Sequence, residues 1–387
     1  MDTQNTPVHI KLWHREFWWM TIANLLLMMS TYMLVPALPP YLQKVGYSAF
    51  HIASVMGVYG IGVFALGGFC SYLVQRYRRN HVCQYAVLGV ALSIALLYYL
   101  EFVLNVKLEY WMILCARFVQ GAFLGLAQMT LASTLIIDTC ESFQRTEANH
   151  TAAWFSRFAL SLGPVVSLLV YKWLDYSWVL IVACCLALVA WALIAMVKFP
   201  FKAPSDTMRI YSLDRFFLPQ GTLLFLNLMM MTTVVGIFFS MEHTETFYCM
   251  LMLGFILALL AERYVFANAD LKSEVVSGLI LMAAAVLIMY THHETTISYV
   301  SPTMIGFGIG IIGSRFLLFF IKLAKHCQRG TSQSSFFLSW ELGISLGLFV
   351  GMVERQHVLI ICLVLSASSL LFYNFLVHPW YMRHKNR

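Results

Sequence analysis

Three arginines and one glutamate stand inside long apolar runs of this sequence: Arg117, Arg157, Arg315 and Glu341. Hydrocarbon makes such residues costly, by at least about 2.5 kcal/mol each, unless they pair or face water. Each is therefore a functional candidate. Guanidinium groups in a dry site bind carboxylate or phosphate through paired N–H donors. Three cations against one anion leave positive charge free for an anionic or zwitterionic ligand. Helical rise puts Arg157, Arg315 and Glu341 at similar depth, roughly 10–15 Å from their helix ends. The expected arrangement sets Arg157 and Glu341 on opposite walls of a central cavity, with Arg315 beside Glu341. A second reading makes Arg315 and Glu341 a buried pair that only joins two helices. Glu341, as the one carboxylate deep in an apolar run, is the candidate proton carrier. Burial and a neighbouring arginine pull its titration in opposite directions.

Other chemistry finds little support. His150, His292, His293 and His326 fall in loops or at helix ends, without metal-ligand spacing. There is no phosphate-binding loop of the G-x-x-x-x-G-K-[ST] type, so nucleotide-driven pumping is not expected. No catalytic set, metal or cofactor is implied, and an enzyme is not expected.

The elements that must hold these charges are duplicated. Arg145 to Ser167 recurs in altered form 184 positions later as Arg329 to Gly351. Arg145 falls on Arg329, Ser161-Leu162-Gly163 on Ser345-Leu346-Gly347, and Arg157 on Glu341. Leu73 to Tyr77 recurs as Leu260 to Tyr264, displaced by 187. Two echoes at nearly one offset indicate duplication of a unit close to half the chain, with opposite charges at equivalent depth.

The chain is 60% hydrophobic and 11% charged, which is too few ionisable residues to cover a soluble globule of 387 residues. It is read as an all-α polytopic membrane protein. Charged or turn-rich breaks cut it into twelve spans: 16–37, 50–74, 81–100, 110–137, 148–171, 177–198, 217–240, 246–266, 274–291, 297–322, 332–353 and 357–378. Residues 199–216 form a polar central linker between an N-terminal six-helix bundle, 1–198, and a C-terminal one, 217–387. Eighteen Lys and Arg lie in the terminus-bearing loops against four in the others. The positive-inside rule therefore places both termini in the cytoplasm of a cell membrane, inner or plasma. That topology accounts for the net charge of +7 without a nucleic-acid partner. The nine cysteines include no C-x-x-C and read as small apolar residues.

Prolines at Pro36, Pro39 and Pro40 are expected to stop the first helix at the outer surface. Asn24, with Ser30, Thr31 and Tyr32, makes the first span more polar than lipid requires, and Asn227 with Thr232 and Thr233 does so in the seventh. These strips either line a cavity or pack between helices. Gly121-x-x-x-Gly125 in the fourth span permits close helix approach. Asp138, at the end of that span, pairs with Arg76 or Arg79 or is solvated.

Several motifs then resemble the major facilitator superfamily in order and position. Arg76 and Arg79 match its basic loop after helix two, with Gln75 where the family has Asp. Ala261-Glu262-Arg263 looks like the second copy. Arg117-x-x-Gln120-Gly121 resembles the family's helix-four motif, in which the arginine is linked to proton coupling. Leu162-Gly163-Pro164 resembles the helix-five motif of its antiporters, where Gly and Pro permit a bend and packing against the other half. Asp175-Tyr176-Ser177-Trp178 is similar to the family's entry to helix six. The resemblance implies twelve helices in two pseudo-symmetric bundles that rock about a midplane site. It implies a monomeric, proton-linked exporter of a small organic solute, with Arg117, Gln120, Arg157, Arg315, Glu341, Asn24 and Asn227 for substrate and coupling. Arg76, Arg79, Asp138, Gly163, Pro164, Glu262 and Arg263 would serve gating. An importer of the same fold, or a receptor or scaffold without transport, are the alternatives.

Overall fold

The computed structural model describes residues 11–105, 109–141, 143–199, 209–266, 269–292, 294–325 and 328–385. His293, His326 and most of the expected linker, 200–208, lie outside them. Among the described residues the chain is helical throughout, because a backbone in hydrocarbon must satisfy its own polar groups. Eleven helices are long and apolar enough to cross a membrane: α1 (Arg15–Val45), α3 (Arg79–Val103), α4 (Tyr110–Asp138), α5 (Arg145–Trp173), α6 (Tyr176–Met196), α7 (Pro219–Ser240), α8 (Glu245–Tyr264), α9 (Leu271–Thr291), α10 (Ile297–Leu323), α11 (Arg329–Val353) and α12 (Val358–His384). A pair bent by 43°, Ala49–Gly62 and Gly67–Arg76, makes the twelfth, α2.

The prolines do not end α1 as expected. It continues through Pro36, Pro39 and Pro40 to Val45, where Gly46 takes φ 102° and caps it. Proline removes N–H donors and frees carbonyls on the preceding turn. Here Pro36, Pro39 and Pro40 border a vestibule.

Helix contacts repeat with a period of six. In the first bundle the main pairs are α1 with α5 and α6, α2 with α4, and α3 with α4 and α6. The same pattern recurs as α7 with α11 and α12, α8 with α10, and α9 with α10 and α12. Two pairs, α2 with α11 and α5 with α8, make the main contacts between bundles, and each is the image of the other. The two sequence echoes fall on these four helices.

Close approach of α2 and α4 depends on glycine. A Cβ on Gly121 would lie 2.1 Å from Tyr59 O, and one on Gly125 the same distance from Val63 O. These are backbone atoms and cannot step aside. Farther along, α4 widens into a π turn at Leu131–Leu135, beside the centre of the molecule.

On the side that carries the termini, the segment before α7 ties α2 to α11. Ser212 N donates to Gly68 O at 2.9 Å. Asp214 accepts from Ser71 at 3.1 Å and from Thr331 at 3.2 Å. Leu218 N donates to Ser335 Oγ at 2.7 Å.

Gly121→Ala must push α4 from α2. It should destabilise the protein by about 1–3 kcal/mol, as overpacking does, seen as a lower Tm in detergent. An unchanged Tm would mean the two helices part freely.

Candidate functional site

Glu341 lies midway along α11 and is wholly buried. Its Oε1 accepts from the Tyr32 hydroxyl of α1 at 2.5 Å and its Oε2 from the Tyr59 hydroxyl of α2 at 2.5 Å. Such short O–H···O contacts are typical when one partner is charged. The carboxylate belongs to one bundle and both donors to the other. Beyond Tyr59, the Arg117 guanidinium stands 5.0 Å from the centre of its ring, and Nη1 donates to Gln120 Oε1 at 2.5 Å. Arg117 and Gln120 thus stand near Glu341 through Tyr59, which sequence reasoning missed. A tyrosine in mid-span was the available signal, because its hydroxyl needs a partner there.

Arg157, at the equivalent register of α5, is 2% exposed and stacks 4.5 Å from the Trp154 ring. Its Nε, Nη1 and Nη2 are buried without hydrogen-bond partners. Arg157 and Glu341 border one small cavity of about 30 Å³ between α1, α4, α5 and α11, together with Tyr32, Gln128, Ser156 and Gln333. That volume holds a water or two, not an organic solute. Asn24 braces its wall. The amide donates to Ser156 Oγ at 2.8 Å and Ala152 O at 3.1 Å, and accepts from Gln128 at 2.8 Å.

Arg315 is not beside Glu341. Its Nε donates to Glu274 Oε2 at 2.5 Å, and Nη2 lies 3.5 Å from Glu262 Oε1. The reason is helix packing: α10 lies against α8 and α9, while Glu341 on α11 faces α1 and α2. Glu274, in the first turn of α9, is itself 1% exposed, so Glu341 is not the sole buried carboxylate. Glu262 also accepts from Ser314 at 2.6 Å and lies 3.1 Å from His150 Nε2 of α5. This cluster links the bundles through α5 and α8.

The remaining candidates divide. Asn227 donates to Ser369 O and Oγ, both at 3.0 Å. It holds α7 to α12 and lines no cavity with Glu341. Gly163 packs against Met29 and Tyr32 of α1, within its own bundle and not across to the other. Pro164 is buried and α5 runs through it unbroken. Asp138 pairs with Arg79, whereas Arg76 and Arg263 are exposed, the latter 5.7 Å from the Tyr264 ring.

Away from the termini, a vestibule of about 430 Å³ is bordered by Val35, Pro36, Leu168, Phe239, His243 and Gly351. It draws on both bundles.

A duplicated twelve-helix frame with buried charge between its halves has the architecture of a polytopic membrane transporter. The Major Facilitator Superfamily profile matches residues 20–348, and the chain belongs to that family. The fold is similar to that of the human organic anion transporter MFSD10 (TETRAN), with TM-score 0.68 and 14% identity over 95% of this chain and 98% of that one. It is also similar to a POT family peptide transporter in an auto-inhibited form, with TM-score 0.65 and 12% identity over 96% and 97%. FucP in its outward conformation gives TM-score 0.64 and 14% identity over 94% and 99%. A search of curated proteins returns no match.

His243, in the loop between α7 and α8, stacks on Phe247 at 3.6 Å and donates from Nε2 to Phe238 O at 2.8 Å. Burial of the ring pushes its pKa from 6.5 down to about 4. Between those values the unfolded chain binds the extra proton, so stability falls as pH drops from 6.5 towards 4. The Tm of the purified protein should decline over that range, and His243→Gln should flatten the decline. Identical slopes would remove His243 from the account.

Proposed function

We propose that this protein is a proton-coupled secondary transporter that exports a small organic anion or zwitterion by alternating access. The observation that carries the reading is the shared cavity: an unpaired buried guanidinium, Arg157, and a buried carboxylate, Glu341, on helices from opposite bundles. Arg157 would receive the anionic group of the solute through paired N–H donors. Glu341 would carry the proton, since the two phenols can hold either a carboxylate or a neutral acid by rotating their hydroxyls. Residues 1–198 and 217–387 would move as two bodies joined by 199–216. Eighteen basic residues against four support cytoplasmic termini; with that orientation the vestibule faces outward. The fold likeness to MFSD10, described as an organic anion transporter, is compatible with an anionic solute.

Import is the second reading, favoured by the same vestibule, which would load solute from outside. Direction follows from the sign of coupling to the imposed gradient.

The test is flux in proteoliposomes under a pH gradient, with a panel of anionic, zwitterionic and cationic compounds. Proton-driven accumulation of an anion should fall at least about tenfold in Arg157→Gln, the loss of one charge-assisted contact, and be partly kept in Arg157→Lys. Glu341→Gln should retain exchange of solute but lose accumulation against its gradient. Normal transport of every compound by Arg157→Gln would sink the anion reading, and unchanged proton-driven accumulation in Glu341→Gln would remove its proton role.

A further inference from the structure

The first residues of the two echoed helices meet. Arg145 opens α5 and Arg329 opens α11, and both border one pocket of about 240 Å³ on the terminus side, with Arg79, Arg215, Asp138 and Asn149. The pocket therefore gathers four guanidinium groups against one carboxylate on its wall. Asp138 is already taken by Arg79. Arg215 donates to Thr134 at 3.3 Å and stands 3.9 Å from Asp214, whose oxygens are engaged by Ser71 and Thr331. Among the described residues Arg145 and Arg329 make no salt bridge, and Arg145 shares Asp138 at a distance with Arg79 and Arg215.

Two further features point to a ligand. Asn149 is 1% exposed and its Oδ1 is buried without a partner, as is Nε of Arg145. An unpartnered acceptor and an unpartnered donor four residues apart on α5 suit a group that carries both anionic oxygens and a hydroxyl. The N-termini of α5 and α11, helices of 29 and 25 residues, add the positive ends of their dipoles.

We infer that this pocket binds a phosphate-bearing anion, either a soluble phosphate or the headgroup of an anionic phospholipid. Arg145 and Arg329 hold its oxygens, and Asn149 accepts from its hydroxyl. The ligand ties α5 of the first bundle to α11 of the second. It stabilises the state in which the terminus face is closed. The site is separate from the central cavity and does not depend on which solute is carried.

The test compares Tm of the purified full chain in detergent across inorganic phosphate concentrations, with chloride keeping ionic strength constant. Parallel samples sit in nanodiscs of phosphatidylcholine with or without phosphatidylglycerol. Phosphate should raise Tm in proportion to its log concentration once above the dissociation constant, by about 3 °C at a hundred times that constant. The concentration at which the rise begins should increase at least tenfold in Arg145→Gln and in Arg329→Gln, with Arg145→Lys intermediate. A Tm gain confined to phosphatidylglycerol nanodiscs, and lost in the same variants, assigns the site to a lipid headgroup. Equal responses of wild type and of every variant that folds in chloride, in both arms, would overturn the site.

Discussion

The charge of Glu341 can be buried only while two tyrosines of the other bundle reach it. Hydrogen bonds to a charged group contribute about 1.5–3 kcal/mol each, and removing a partner from a buried charge costs more, about 3–5 kcal/mol. Tyr32 and Tyr59 both lie in the first bundle, and Glu341 lies in the second. Parting the bundles at this depth therefore strands a carboxylate unless a proton, a cation or water takes the place of the phenols. That constraint links the ionisation of one side chain to the position of half the molecule.

Arg157 faces the converse problem. It occupies the register of Glu341 in the duplicated helix, yet the contact it has is a ring face, Trp154, and its donors are unfilled. A cation over an aromatic face in a dry site is held by about 2 kcal/mol or more, which is less than a paired carboxylate would supply. The two halves thus hold their equivalent charges unequally. Glu341 is satisfied across the interface, while Arg157 is left able to accept an anion. The asymmetry lies within a helix frame that is otherwise repeated.

What the sequence disclosed was set by how far each signal carries. Charge in an apolar run stands out against its neighbours, so Arg117, Arg157, Arg315 and Glu341 were visible. The duplication was visible because Arg145, Ser161, Leu162 and Gly163 survive in both copies. Partner identity was not visible, because it depends on which face a helix turns to which neighbour. Arg315 points to Glu274 and Glu262 because α10 packs on α8 and α9, a fact held in no local pattern. Asn227 looked like a cavity residue until Ser369, 142 positions away, supplied its partner. Tyr59 was hidden by its own chemistry, since a tyrosine passes for an apolar residue until its hydroxyl is placed. The prolines of α1 misled because the helix runs on through them and stops only at Gly46, where φ is positive.

The helix α5 carries three of these layers on one rigid rod. Arg145 borders the terminus-side pocket, His150 meets Glu262 of α8, and Arg157 borders the central cavity. The rise of a helix separates His150 from Arg157 by only about 10 Å. In its image α11, Arg329 and Thr331 border the terminus-side pocket and Glu341 the central cavity. Each of these two helices thus reaches both the central cavity and the ties at the terminus face. Those ties include the polar contacts of Asp214 with Ser71 and Thr331, Ser212 with Gly68, Leu218 with Ser335, and Glu262 with His150. Polar contacts at a partly hydrated face exchange readily for water, whereas the glycine-fitted contacts inside each bundle do not. Between the bundles α2 and α11 are glycine-fitted as well, since a Cβ on Gly60 would meet Ser345 Oγ at 1.8 Å, so the polar ties of the terminus face are the ones that water can replace.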